Sequence, residues 1–451
     1  MTHHAQPADG NRPTATPRDA RPAGFRTIRT DVAVIGAGPA GSAAALAMAR
    51  RGLDIQLIEP APAPTTRLAG EWVHPGGLAA LERLGVRLSG TEGWRHHGFA
   101  VHPGDGSTPI ILNYPGGATA LSLPHRVLIS ALHQQLTAQP SVTWRTGVRA
   151  AHLADGVLLC TGPAGDELVQ ARLVVGAGGR SCVLRDAVGA QRRSATVSHM
   201  LGVLVRDVAW PDPYRGHLFL GGPGPVVAYH LSRRTVRVCI DLPLNHPRPP
   251  HLAAFVRHAY RHALPEWLHG AIQGALHDGG GQWATNRVQP RGRFAHGHCV
   301  LTGDAAGQTH PLTAIGLSMS FLDAECLGRT GDIPGYVRSR ATPATVSERL
   351  AVGVHRLLSA PDPASVRLRT TAFRLWRQDP AVGERCMALL GLLSTCPADL
   401  RHLGLRVMSA GVADSLRAAV RARARDGLLQ ELRTGAPWLT WLHGDDAHRP
   451  G

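Results

Sequence analysis

Three glycines and one carboxylate carry the clearest chemistry in this chain. Gly36, Gly38 and Gly41 make the spacing G-x-G-x-x-G, and Glu59 follows 23 residues after Gly36. Such a turn suits a dinucleotide. Its first glycine permits a tight turn, its second lets a pyrophosphate approach the backbone, and its third lets helix and strand pack closely. Pro39 and Ala40 follow within the turn, and the helix beyond it offers free N–H groups and a partial positive charge to phosphates. A carboxylate at Glu59 then accepts both ribose hydroxyls. The motif alone is weak, and its flanks decide. Asp31 to Ile35 reads as a short apolar strand, Ser42 to Arg51 as an Ala-rich helix, and Asp54 to Ile58 as a second strand. The bland alternative is a glycine-rich βαβ turn without a ligand.

Further along, strand-to-turn transitions recur. Ala171 to Val175 runs into Gly176-Ala-Gly-Gly-Arg-Ser-Cys-Val-Leu-Arg185, and Cys299-Val-Leu-Thr runs into Gly303-Asp304 and then a helix. Other candidates each have a plainer rival. Arg126, in the first turn of a helix starting near Leu123, is either a fork for phosphate oxygens or a surface Arg. Asp304 is either a cofactor ligand or an N-cap. Glu71, in a loop, is either a reactive carboxylate or a solvated one. His310 precedes Pro311 and is either catalytic or a turn residue. His74 and the other histidines are scattered without ligand spacing, so no metal is expected. Trp72 reads as packing.

The elements around these residues separate into layers. Residues 98–123 alternate apolar and polar between glycine-rich turns, and 141–175 reads as short strands. Residues 197–243 are strongly β-patterned: Met200 to Val208, Gly216 to Leu220, Val226 to Leu231 and Thr235 to Leu242. Leu252 to Leu276 is mostly helical in pattern, as is everything from about Ile333, with breaks near Pro361, Pro380 and Pro397. The expected class is α/β. A Rossmann-like nucleotide domain is assembled from 29–97, 124–190 and 290–332. A β-sheet substrate domain from 98–123 and 191–289 is inserted in it, and a helical region follows over 333–451. Residues 1–28, polar and rich in Pro and Arg, read as a disordered tail.

Composition narrows the setting. The 451 residues carry a net charge of +16, and all 48 basic residues are Arg. Arg without Lys, beside abundant Ala, Gly and Pro, follows genomic base composition, so nucleic acid is not an expected partner. Seven dispersed cysteines without C-x-x-C spacing suit a reducing cytoplasm. No run of 18 apolar residues is present to span a membrane. Residues 340–433 hold 15 Arg against 8 Asp and Glu, with apolar stretches at Met387 to Leu393 and Leu403 to Val407. These helices either pack on the nucleotide domain or lie peripherally on the inner membrane face.

Together these pieces resemble the flavoprotein monooxygenases that bind FAD in the p-hydroxybenzoate hydroxylase fold. Gly70-Glu-Trp-Val-His-Pro-Gly-Gly is similar to the G-E-x-x-x-P-G-G stretch of the squalene epoxidases. Gly224-Pro-Val-Val-Ala-Tyr-His-Leu-Ser and Val236-Arg-Val-Cys-Ile-Asp-Leu-Pro resemble that family's paired central strands. His310-Pro-Leu-Thr to Gly316 resembles its H-P-L-T-G-G-G-M flavin loop. The resemblance runs from about 30 to 410. It implies FAD held by Gly36, Gly38, Pro39, Ala40, Gly41, Glu59, Arg67, Arg126, Gly303, Asp304, Pro311, Gly316 and Leu317, with Glu71 and His310 as catalytic candidates. It also implies a substrate domain that roofs the active site. The implied chemistry is epoxidation or hydroxylation of an apolar small molecule through a flavin C4a-hydroperoxide, in a bacterial biosynthetic pathway. Electrons would come from NADPH or NADH, directly or through a separate reductase. Three departures stand out: Gly178 replaces the usual Asp, Ala314 and Ile315 replace glycines, and Leu317 replaces Met. The rivals are an oxidase, dehydrogenase or reductase on the same fold, and a flavoprotein scaffold without net oxygenation. A halogenase is excluded, because it needs a Lys and a W-x-W-x-I-P segment and neither is present.

Overall fold

The computed structural model describes residues 25–61, 68–88, 93–154, 156–190, 194–246, 248–422 and 425–443, the side chains of 421–428 excepted. The first strand spans Arg26–Ile35, five residues longer than its apolar run. Its polar start pairs in parallel with Gly165–Gly176 from Arg26 opposite Glu167 onward. Most of the expected N-terminal tail lies outside the described residues, and the strand takes its last residues.

Five parallel strands form the body of an eight-stranded nucleotide sheet, in the order Cys299–Leu301, Gly165–Gly176, Arg26–Ile35, Ile55–Glu59, Val142–Thr146. The apolar runs are continuous because both faces are covered. The helix Pro39–Ala49 is buried along nearly its whole length, which explains its Ala content. Small residues let the helix Gly316–Thr330 lie close against it: a Cβ on Gly328 would stand 2.9 Å from that of Ala47. The carboxyl ends of the strands at Ile35, Glu59, Gly176 and Leu301 converge on one edge, where open α/β sheets bind ligands.

A second sheet of seven strands runs in the order Gly281–Val288, Ala195–Arg206, Thr235–Pro243, Val226–Ser232, Gly216–Phe219, Gly98–His102, Ile110–Asn113. The strand Gly281–Val288 carries no clear alternation and is largely half-exposed at the sheet edge, so periodicity misses it. Ala120–Ser122, expected in the substrate domain, instead pairs with Trp72–Val73 and Trp94–His96 in a three-stranded sheet. Leu121 of this strand packs in the core of the nucleotide domain and Ala120 against the inner face of the seven-stranded sheet.

Both faces of the seven-stranded sheet are covered. Val236, Val238, Ile240 and Leu242 point toward the helices Leu252–Ala259 and Glu266–His277. Val227, Tyr229 and Leu231 point the other way, toward Leu312, Ala314 and the C-terminal helices. The period of two therefore sends Arg237, Cys239 and Asp241 to the inner face as well. In the C-terminal region, Asp332, Asp362 and Asp379 each cap a helix with a Pro at its first or second position. This pairing fixes where each helix starts.

Candidate active site

At the nucleotide end the three glycines divide the work. Gly36 has φ +99°, and a Cβ on it would stand 2.7 Å from the carbonyl of Ala177. A Cβ on Gly41 would be 1.7 Å from the carbonyl of Gly36, so helix and turn touch there. Nothing lies within 4 Å of a Cβ on Gly38, which faces open space where a pyrophosphate can lie. Pro39 and Ala40 form the first turn of the helix. Glu59 accepts the N–H of Ala37 at 2.7 Å and that of Ala61 at 2.9 Å, so its carboxylate is fixed at the strand end with lone pairs to spare.

The second half of this edge is the Gly303 turn. A Cβ on Gly303 would stand 2.8 Å from the Cβ of Ala40, which joins the two turns. The Gly303 N–H donates to Asp323 at 2.9 Å. Asp323 is wholly buried, bound by both guanidinium arms of Arg291 at 3.0 Å and by Arg340 at 2.7 Å. Burial alone would raise its carboxyl, but the two guanidinium groups hold it below the ordinary range. Half-buried Asp304 follows, and a Cβ on Gly316 would sit 4.0 Å from its Oδ1.

Gly36, Gly38, Ala40, Gly303, Asp304 and Gly316 are thus brought to one edge. The open Gly38, the fixed Glu59 and two helix N-termini beside Asp304 fit an FAD. Arg67 lies outside the described residues. Arg126 is exposed in the helix His125–Thr137, with no partner among the described residues. Gly178 is exposed, and a Cβ there would meet only Cys182, at an ordinary 3.5 Å.

The loop His310–Leu317 crosses from this edge toward the sheet. Pro311–Thr313 form a tight turn, and Ala314 follows with φ +52°. Leu317 is half-buried, close to Gly70. The backbone of this loop is tied to buried His74. Its Nε2 is 2.9 Å from the Thr313 carbonyl, its Nδ1 is 2.7 Å from the Tyr114 hydroxyl, and its N–H donates to Ser318 at 2.8 Å. Burial lowers the His74 pKa to about 4, against a smaller opposing effect of the Thr313 bond. His74 is therefore neutral, donating to Thr313 and accepting from Tyr114. Its scattered sequence context carried no such signal.

Glu71 is neither solvated nor free. Arg237 grips it bidentately at 2.7 and 2.9 Å, with both side chains buried. A carboxylate so engaged holds the Gly70 loop against the sheet and is a poor general base. Trp72 packs as expected, stacked on His96 at 4.3 Å and on Phe99 at 5.0 Å.

His310 is buried in a network that spacing along the chain does not reveal. Its Nδ1 accepts the Leu312 N–H at 3.2 Å, and its Nε2 is 2.8 Å from the Ser198 hydroxyl. Ser198 donates to Asp241 at 2.6 Å, and Asn286 donates to both. Burial lowers the pKa of His310, partly opposed by Asp241. Arg237 and Asp241 were legible in principle as charged residues recurring in an otherwise apolar strand. Ser198 and Asn286 carry no such mark.

Comparisons with known proteins agree with this geometry. Residues 29–330 match the FAD binding domain family. Squalene monooxygenase of Mus musculus is 27 % identical over 405 residues, covering 82 % of this chain and 70 % of its own length. The 6-methylpretetramide 4-monooxygenase of Streptomyces rimosus is 29 % identical over 409 residues, covering 79 % of this chain and 93 % of its own. In fold, p-nitrophenol 4-monooxygenase of Pseudomonas putida superposes with a TM-score of 0.65 at 20 % identity, over 82 % of this chain and 99 % of that one. The chain belongs to the FAD binding domain family and is a FAD-dependent monooxygenase, an oxidoreductase of the p-hydroxybenzoate hydroxylase fold with squalene epoxidase-like sequence.

Proposed function

We propose that the enzyme inserts one atom of dioxygen into a largely apolar small molecule, by epoxidation or hydroxylation, in a bacterial biosynthetic pathway. The observation that carries this reading is the apolar wall facing the flavin loop. Val227, Tyr229 and Leu231 from the sheet, Leu312 and Ala314 from the loop, and Phe373 and Met387 from the C-terminal helices form one cluster. A reduced flavin, when bound, activates dioxygen and supplies the oxygen atom. The chain's own part is to hold the cofactor, orient the substrate and keep water away from the reacting face. Neutral His74 with Tyr114, whose hydroxyl burial keeps protonated, offers polar contact beside that wall without adding charge. One relative acts on squalene and another on 6-methylpretetramide, so an apolar or polycyclic substrate suits this reading. NADPH or NADH would supply the electrons, directly or through a reductase.

Turnover of candidate substrates under ¹⁸O₂ tests the reaction. One labelled oxygen in the product is expected. An unlabelled dehydrogenated product, with dioxygen going to hydrogen peroxide, would instead fit an oxidase.

Such a substrate can be drawn from a lipid surface. No helix among the described residues is long and apolar enough to cross a membrane. The helix Pro397–Ala422 nevertheless leaves Leu405, Val412, Leu416 and Val420 exposed, and these recur on one face. Several nearby Arg side chains are paired, as in Arg374 and Arg417 with Asp414 and Arg367 with Glu431. The apolar row therefore supports interfacial contact more than the Arg excess does. Flotation with anionic and neutral liposomes tests it, and protein that floats with neither removes the interfacial part of this reading.

A further inference from the structure

Asp241 lies on the inner face of its strand and is 2 % exposed. A buried carboxylate is costly unless donors or cations meet both oxygens. Its Oδ1 accepts from Ser198 and Asn286. Two histidines stand against its carboxylate oxygens. His310 Nε2 stands 3.5 Å from Oδ1, and His355 Nε2 stands 3.6 Å from Oδ2. The two imidazoles lie face to face, with centroids 3.7 Å apart and planes 21° from parallel. His355 comes from the long helix Ile333–Ser359, so the sheet, the flavin loop and the C-terminal region meet at this one cluster.

The ligand atoms of Asp241, His310 and His355 lie within 4.8 Å of one another, a spacing that suits a metal ion. The proton positions argue otherwise. His310 Nδ1 already accepts the Leu312 N–H, so its Nε2 carries the proton in the neutral ring and donates to Ser198. A metal on Nε2 would require an imidazole stripped of both protons. The cluster is better matched to hydrogen bonding than to coordination.

His310 is then satisfied at both nitrogens, whereas His355 Nε2 is buried without a hydrogen-bond partner and faces the oxygen of Asp241 that Ser198 and Asn286 leave open. We infer that His355 is a positioning residue for the flavin loop. Its ring backs His310, and its Nε2 completes the surroundings of Asp241. Together these contacts fix the start of the Pro311–Leu317 turn relative to the sheet. The inference rests on the reading that this loop bears on FAD.

The test compares His355→Phe, His355→Gln, Asp241→Asn and the double variant His355→Phe/Asp241→Asn as FAD-loaded proteins. The readouts are the FAD dissociation constant, the visible circular dichroism of the bound flavin, and the thermal midpoint. His355→Phe keeps a stacked ring but loses the nitrogen, and it should raise the dissociation constant about tenfold and alter the flavin dichroism. His355→Gln, which restores an N–H donor, should return to within about threefold of wild type. In the Asp241→Asn background, His355→Phe should add less than twofold, because the two act through one contact.

Wild-type affinity and dichroism in His355→Phe would overturn the inference, and so would multiplying effects in the double variant. A lowered thermal midpoint with unchanged flavin signals would mean packing alone and would also overturn it. Stoichiometric zinc lost on substitution of His355 would overturn the choice of hydrogen bonding over coordination. A wild-type protein that binds no FAD would instead bring down the functional reading beneath it.

Discussion

At the nucleotide end, Gly36, Gly38 and Gly41 act through the side chains they lack, within one strand, turn and helix of adjacent sequence. At the sheet end, Glu71, Arg237, Asp241, Ser198 and His310 act through side chains carried in from separate segments. The first arrangement is local and made of backbone, so it tolerates little change at a glycine and much at its neighbours. The second is a set of buried charges and hydrogen bonds, where each member depends on its partners. The loop His310–Leu317 therefore runs between a rigid cradle at one end and a cooperative wall at the other.

The largest expected effect falls on the cradle. Gly38→Val puts a branched side chain into the space left open for the pyrophosphate, and it should abolish FAD retention through gel filtration while leaving the fold intact. Glu59→Ala removes the ribose acceptor and two backbone bonds, and should weaken FAD by about tenfold or more, since each charge-assisted hydrogen bond contributes roughly 1.5–3 kcal/mol. Asp304→Ala should abolish tight binding, whereas His310→Ala should keep flavin bound, with a dissociation constant raised at least as much as in His355→Phe, and lower turnover moderately. Absorbance of the purified proteins near the flavin bands reads all four. Full FAD content in Gly38→Val would sever the cradle from its assigned role.

This contrast also explains what could be read from sequence. The turn at Gly36 was legible because its glycines, its strand and Glu59 lie within one short stretch, where spacing maps directly onto geometry. The helix breaks near Pro361 and Pro380 were legible for the same reason, and at each the next helix starts on an Asp-Pro pair. Glu71 was located but not understood, because its partner Arg237 lies 166 residues away. Asp323 escaped notice altogether. Nothing in a helix sequence says that one Asp will hold Arg291, Arg340 and the Gly303 N–H at once. The start of the first strand was set too late, because pairing with Gly165–Gly176 overrides the polarity of Arg26 to Thr30.

The wall should answer next. Arg237→Met leaves Glu71 buried without its cation, and breaking one side of such a pair costs roughly 3–5 kcal/mol. Adding Glu71→Leu removes the orphaned charge and should recover a large part of that loss, as judged by urea midpoints. Two additive losses would mean that the pair is not the interaction that matters.

Acid provides a gentler probe of the same wall. His74 stays neutral in the folded protein down to about pH 4, whereas in the unfolded chain it takes up a proton near pH 6.5. Between those values the unfolded state binds the extra proton, so stability falls as pH falls through this window. From pH 7 to pH 5 the part due to His74 should be about 2 kcal/mol. His74→Gln can still donate to Thr313 and accept from Tyr114 but has no proton to gain. The difference between wild type and this variant should therefore shrink or reverse toward pH 5. A constant difference across that range would assign the acid sensitivity to other groups.

The smallest effect concerns Ala314, where the His310–Leu317 loop turns through φ +52° without a glycine. A left-handed conformation costs a non-glycine residue about 1–2 kcal/mol. Ala314→Gly would release that strain, but glycine also gives the unfolded chain more freedom, a loss of about 0.4–1 kcal/mol. The two terms oppose each other, so the net change should be a stabilisation between about 0 and 1.6 kcal/mol. The methyl group is also half-buried against the apolar wall, so removing it reshapes the apolar surface there. The expected signature is an unchanged or slightly raised thermal midpoint with a raised KM for the substrate. A fall in stability of more than about 1 kcal/mol would show that the methyl's packing outweighs the backbone strain. It would also move Ala314 from the tuning of the pocket to the holding of the loop.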